Sequence, residues 1–243
     1  MAHGPDTEEL LRRISVVVTT KGTYLDVSRL RITSLPTLPH TLETFVCEHM
    51  TRLTSLPDLP PNLTKLICGY SSVQSLPNLP NYLKTLMCNN TGITEFPPLP
   101  KGLQVFVCNH LSILKLPPLP PYLIKLICND TLINSLPPLP HTLECLNCMS
   151  TNIVTLPPLP DSLSILKCEH CPLAIKLLRG ETVQNYKKRL CEIIKRHETI
   201  LSIRRCQTRC LTVKEELMAA AWHPRRVERL LNAGYSFEEV LGD

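Results

Sequence analysis

A twenty-residue unit recurs through most of the chain, and it limits the possible fold more than any other feature. Leu-Pro pairs fall at 35, 56, 76, 116, 136 and 156, with Phe96 in the Leu place of a further copy. The step is 21 residues once and 20 otherwise. A second Leu-Pro starts at 38, 59, 79, 99, 119, 139 and 159, and another leucine follows at 42, 63, 83, 103, 123, 143 and 163. Next come Phe45, Leu66, Leu86, Phe106, Leu126, Leu146 and Leu166, then cysteines at 47, 68, 88, 108, 128, 148 and 168. Leu53, Val73, Ile93, Ile113, Ile133, Ile153 and Leu173 close the units. A period this short marks a stacked architecture, because one unit cannot bury its own apolar side.

Local geometry follows from the letters. Leu126 and Cys128 are two apart, so on a strand they face one side while Lys125 and Ile127 face the other. The double Leu-Pro step removes backbone donors and fixes φ, which forbids a helix there and favours extended chain. Upstream, Leu25, Val27, Leu30 and Ile32 keep the same spacing, so eight strands are expected, the first with Val27 at the cysteine place. The expected fold class is an α/β repeat solenoid. Parallel β-strands line its concave face, the convex side is extended and polyproline-like, and the C-terminal region is α-helical. Eight strands about 4.8 Å apart make a curved rod roughly 35 Å long.

The consensus L-x-x-L-x-C-x-x-x-x-I-x-x-L-P-x-L-P-x-x resembles the leucine-rich repeat. Cysteine takes its third leucine place, and Ser71, Thr91, Leu111, Thr131, Thr151 and Cys171 take its asparagine place. The LPxLP signature is similar to the short bacterial type of secreted effector ubiquitin ligases and to repeat proteins of giant DNA viruses. The resemblance covers roughly residues 22–175 and implies a scaffold that binds a protein partner. Those ligases carry a large catalytic domain after their repeats, and the expectation for residues 172–243 is that they are too few to hold one. A substrate-selecting adaptor in a ubiquitin pathway is the alternative reading.

Composition narrows the chemistry. The 23 Pro and 12 Cys stand against only 8 Gly, so proline serves as structural punctuation. The cysteine share is below the roughly 8–10% of a disulfide scaffold. The opening MAHGPDTEELLRR carries charge where a secretory signal would be apolar, and no run of about 18 apolar residues occurs. A cytoplasmic protein with reduced thiols is expected, in host cytoplasm if the protein is viral. Cys145-x-x-Cys148 and Cys168-x-x-Cys171 match a zinc-ribbon spacing. Cys148 and Cys168 are ladder positions, however, and Cys145 sits at an odd offset facing the other way, so no metal is expected. Cys168, His170 and Cys171 are the remaining metal candidates. No GxSxG, HExxH, P-loop or GxGxxG occurs, so neither an enzyme nor a cofactor is expected.

The outward strand positions carry the functional expectation. Between the second leucine and the cysteine stand Val46, Ile67, Met87, Val107 and Ile127, then Asn147 and Lys167. After the cysteine come Glu48, Gly69, Asn89, Asn109, Asn129, Met149 and Glu169, and beside them His49, Tyr70, Asn90, His110, Asp130, Ser150 and His170. An apolar centre with a polar and aromatic border suits a protein partner. The candidate contact residues are Val46, Ile67, Tyr70, Met87, Asn90, Val107, His110, Ile127 and Asp130. Charging Val107 and Ile127 is expected to abolish capture without unfolding the chain. The competing explanations are strand propensity alone and coverage of these positions by the chain's own tail.

The plan by region is an N-terminal cap at 1–21, a solenoid at 22–175 and a basic helical region at 176–243. Thr7 to Ile14 reads as a short helix capped by Asp6 or Thr7, with Leu10, Leu11 and Ile14 against the first strand. Residues 1–171 balance 12 Lys/Arg with 12 Asp/Glu, whereas 172–243 hold 14 against 9. Val183, Tyr186, Leu190, Ile193, Ile194, His197 and Leu201 are spaced for an amphipathic helix from Glu181 to about Arg204. Its basic side, Lys187, Lys188, Arg189, Lys195 and Arg196, is a secondary candidate for nucleic-acid contact. A capping box at Thr212 and Glu215 is expected to start a new helix to Ala221. Beyond it, Trp222, His223, Pro224, Arg226, Val227 and Gly234 resemble a tail carried by giant DNA virus proteins.

Overall fold

The computed structural model describes residues 5–221 apart from 174 and 179. The chain divides into two compact units, the break falling between Lys187 and Lys188. The first unit holds eight strands of three residues: β1 Tyr24–Asp26, β2 Thr44–Val46, β3 Lys65–Ile67, β4 Thr85–Met87, β5 Val105–Val107, β6 Lys125–Ile127, β7 Cys145–Asn147 and β8 Ile165–Lys167. They form one sheet in sequence order, and every neighbouring pair is parallel. Equivalent residues pair, as in Leu86↔Phe106 and Phe106↔Leu126. The backbone ladder outlasts the strands. The cysteine N–H donates to the next unit, as Cys108 does to Ile127 O at 2.8 Å, and so does the N–H two residues on, as His110 does to Asn129 O at 3.0 Å.

The core is the inward column of each strand. Phe45, Leu66, Leu86, Phe106, Leu126 and Leu146 have no accessible surface, nor do the ladder cysteines 47, 68, 88, 108, 128 and 148. The third leucine of each unit, from Leu42 to Leu163, is as fully enclosed. Before each such leucine the chain makes a tight turn begun by proline. Leu63 N donates to Pro60 O and Leu83 N to Pro80 O, both at 3.1 Å. The first proline supplies the accepting carbonyl, and where a second follows, as at Pro61 and Pro121, its fixed φ suits the next place of the turn.

The replaced asparagine place is explained by local bonding. The Ser71, Thr91, Thr131 and Thr151 hydroxyls donate to the carbonyls of Cys68, Cys88, Cys128 and Cys148 at 2.6–3.1 Å. A short hydroxyl satisfies the carbonyl left behind the strand, while Met50 and Leu111 fill the same place with apolar bulk. The single 21-residue step lies between Cys47 and Cys68. Its extra residue falls in the loop after His49, where Thr51 and Arg52 form an exposed turn.

The N-terminal helix is longer than the sequence suggests, α1 spanning Pro5–Thr20. Pro5 occupies its first position, where the missing N–H costs nothing. Asp6 is therefore inside the helix, and its Oδ2 accepts from Arg31 N at 3.0 Å. The run Ser15 to Thr20 contains poor helix formers, yet Val17 is buried and the Ser15, Thr19 and Thr20 hydroxyls bond back to carbonyls in the preceding turn. Gly22 N closes the end on Val17 O at 2.8 Å, with Lys21 at φ 52°. Leu10 and Val17 are buried, whereas Leu11 is exposed, which corrects the expectation that Leu11 faces the first strand.

Helix α2 runs Val183–Ala221 without a break. Thr182 caps it, its Oγ1 accepting from Asn185 N at 3.2 Å. The expected new start at Thr212 does not occur, because no Gly or Pro stands between Glu181 and His223 to interrupt the ladder. Tyr186 is buried, and its hydroxyl donates to Ile175 O at 2.7 Å. Ile193, Ile200 and Ile203 are exposed. No helix among the described residues is long and apolar enough to cross a membrane. The Trp222 to Gly234 resemblance lies outside the described residues.

Candidate functional site: the concave face

The outward column splits into two classes. Ile67, Met87 and Ile127 are half-buried, as are Asn147 and, among the polar neighbours, Asn89, Asn109 and Asn129. Val46 is only 9% exposed and Val107 only 4%. Between Met87 and Ile127 on the paired strands, the short Val107 side chain is walled in by longer neighbours. A charge there would be buried, so the expectation that Val107 can be charged without loss of fold does not hold. Ile127 is half-buried and remains the position for that test.

The column after the cysteine serves the solenoid as well as its surface. Asn109 N donates to Asn89 Oδ1 at 3.4 Å, and Asn129 N to Asn109 Oδ1 at 3.2 Å. Glu48 N donates in the same way to Ser28 Oγ at 3.0 Å. These side chains splice adjacent units, a role the polarity of the column did not reveal. Gly69 is buried, and a Cβ there would stand 3.2 Å from Asn89 O.

Beside it every unit enters the left-handed region. Arg29, His49, Tyr70, Asn90, His110, Asp130, Ser150 and His170 have φ between 50° and 67°. The N–H of each member from Arg29 to Ser150 donates to the next unit, so the turn extends the ladder. Tyr70, Asn90, His110 and Asp130 are exposed. His49 and Tyr70 stack with ring centroids 5.0 Å apart. Asn129 Nδ2 donates to Asp130 Oδ2 at 2.7 Å, and His110 Nδ1 lies 3.8 Å from the same oxygen. The Asn129 amide holds the Asp130 carboxyl below its usual range, with help from the Ser150 hydroxyl and the nearby His110 and His170.

The cysteine ladder lies beneath this face. Burial pushes the Cys68 and Cys128 thiols up to about 12 and Cys168 to about 11; Cys47, Cys88, Cys108 and Cys148 are raised for the same reason. Protonated and enclosed, they are packing groups without nucleophilic character. Cys145 is half-exposed on the outward side while Cys148 is buried. Cys168 and Cys171 are buried, whereas His170 is exposed, so these three do not converge. Among the described residues no group of three or more His, Cys, Asp or Glu is placed to hold a metal ion.

The basic tail residues are not equivalent. Lys187 Nζ donates to Pro160 O at 2.5 Å, which places it within the first unit. Arg189 is half-buried, and Lys188, Lys195 and Arg196 are exposed.

No family model and no curated protein matches the chain. Solved structures do. The structure described as YopM from Yersinia enterocolitica WA-314 is 28% identical over 73% of this chain and 45% of that one, with a TM-score of 0.64. The structure of a Shigella effector LRR domain is 26% identical over 72% of this chain and 80% of that one, also at 0.64. The fold is a leucine-rich repeat solenoid. YopM from Yersinia pestis, at 24% identity and a TM-score of 0.60, covers 69% of this chain and 55% of its own and shares the fold alone. The solenoid is thus similar to those of bacterial effector leucine-rich-repeat proteins, and the chain spans less than half of the first of them.

Proposed function

We propose that the chain is a non-enzymatic interaction module that holds a protein partner against its concave face. The observation that carries this reading is the row Ile67, Met87 and Ile127, apolar and half-buried, on a sheet whose inward leucines are fully enclosed. An apolar strip bordered by Tyr70, Asn90, His110 and Asp130 suits a partner that excludes water from its centre and hydrogen-bonds at its rim. The raised ladder thiols speak against cysteine catalysis. Reduced, protonated thiols suit the cytoplasm. A cap at 1–21, a binding solenoid at 22–175 and a basic helical region at 176–243 form the division of labour in this reading. An origin in a giant DNA virus, with work in the host cytoplasm, rests on the resemblance of residues 222–234.

The test is capture from cell extract by the full chain and by the variant Met87→Asp/Ile127→Asp. A protein held by the natural chain and lost by a variant with the same thermal unfolding supports the reading. Equal retention by both sinks it.

A further inference from the structure

The turns and strand starts of the four central units differ from those on either side. Residues 60–65, 80–85, 100–105 and 120–125 contain Lys65, Lys84, Lys101 and Lys125 and no carboxylate. The equivalent places in the flanking units carry Glu43 before β2, and Asp161 and Glu144 before β8 and β7. All four lysines are exposed. Along the same turns Tyr82 is 68% exposed and Tyr122 61% exposed, with Gly102 between them. These are the same four units whose outward column reads Ile67, Met87, Val107 and Ile127. Lys65 with Ile67, and Lys125 with Ile127, are two residues apart on one strand, so each pair shares a face about 6–7 Å apart. The central solenoid therefore carries an apolar row flanked on β3 and β6 by Lys65 and Lys125, with Thr85 and Val105 in their register on β4 and β5. Lys84 and Lys101 add charge one and four residues ahead of that register, and acids stand at both ends.

Taking the concave-face reading as its basis, we infer that the occupant of this face is an acidic amphipathic helix of a protein partner. It lies across β3 to β6, with its apolar side on the stripe and its carboxylates toward Lys65, Lys84, Lys101 and Lys125. Opposite charge selects the partner and speeds encounter. The spacing selects the helix. Strand rows repeat every ~4.8 Å, close to the ~5.4 Å of a helical turn and further from the ~6.6–6.8 Å between same-side residues of an extended chain. Four rows match two to three turns. Exposed tyrosines and lysines also suit single-stranded nucleic acid. The apolar row decides against it, since phosphates gain nothing from Ile67, Met87 or Ile127.

The test is selection of a displayed library of helical peptides on the full chain, with the surface positions of the peptides randomised. The pool is then titrated by fluorescence anisotropy against the natural chain, Lys65→Glu/Lys125→Glu and Met87→Asp/Ile127→Asp. Labelled oligo-dT is titrated in parallel. The expected pool has Asp and Glu enriched at least threefold on one flank of an apolar face. It loses about tenfold in affinity on Lys65→Glu/Lys125→Glu and weakens with salt. Circular dichroism confirms that the variants remain folded. A pool without acidic enrichment, or one indifferent to the lysine reversal, overturns the acidic-helix inference. If such a pool is still lost on Met87→Asp/Ile127→Asp, the concave-face reading survives. Binding that survives both variants overturns both. No selected binder, or oligo-dT bound more tightly than any peptide, also overturns the inference.

Discussion

The two sides of each strand obey different rules. Inward, Leu126 and Cys128 are enclosed, and their counterparts vary little: Leu or Phe, then Cys, with Val27 in the first unit. Outward, one step away, the chain accepts Asp, Val, Ile, Met, Asn and Lys at a single place. The inward side is fixed by volume, because each side chain stacks on its equivalents in the next unit. The outward side is constrained only by its neighbours' length, which is why Val107 is enclosed and Ile127 is not. The difference teaches that a solenoid's core records its architecture while its face records its contacts.

That contrast breaks most sharply in alkali. The buried ladder thiols stay protonated to about 12 in Cys68 and Cys128, against an ordinary value of 9.0. The folded state holds protons that the unfolded chain releases, so the stability from neutral burial is complete below pH 9 and is lost as pH rises toward 12. Several such thiols titrate together, and thermal unfolding followed by circular dichroism should fall steeply across that window. Replacing Cys68 and Cys128 with Ala should lower stability at pH 7 but shrink the alkaline loss. An unchanged slope would show that the ladder does not govern it.

A direct comparison of the two sides follows by truncation. Phe106→Ala should cost about 3–5 kcal/mol, since it empties the middle of the core. Met87→Ala on the adjacent strand should cost less than about 1.5 kcal/mol, because part of that side chain already meets water. Urea unfolding of both variants measures the gap, and equal costs would erase the distinction. An effect between those two is expected from Thr131→Val. The hydroxyl bond to Cys128 O at 2.8 Å is buried, and its loss should cost about 1–3 kcal/mol in the same assay. The least effect comes from the surface of α1. Arg12 and Arg13 hold the half-buried Glu9 carboxyl down at about 2, so its contribution is present above about pH 4.5 and fades as pH falls toward 2. Protection of the α1 amides, taken relative to their intrinsic exchange rate at each pH, should fall in that range with little change in the solenoid.

Much of the fold was legible because its signal is periodic. The inward column, the proline turns and the first strand with Val27 in the cysteine place all follow from spacing. Helix limits were less legible. Ser15 to Thr20 looks unfit for a helix until the burial of Val17 and the Gly22 closure are seen. Thr212 looks like a cap, but a cap signal inside an uninterrupted run loses to continued hydrogen bonding. Of the candidate site, the half-exposed members of the stripe were legible from alternation. The enclosure of Val107 was not, because it depends on Met87 and Ile127 in other units. The splicing role of Asn89 and Asn109 was hidden too, since a side chain that bonds to a backbone twenty residues away leaves no local mark.

The left-handed turn of every unit bears on how such a face could be given a new specificity. A β-branched side chain at His110 or Asp130 would strain the backbone, so that row accepts a restricted alphabet whatever the partner. Its histidines, tyrosine and asparagine therefore speak partly for chain geometry. Positions 65, 67, 87, 125 and 127 carry no such restriction, and a library built to redirect the solenoid should spend its diversity there while keeping the turn row as it stands.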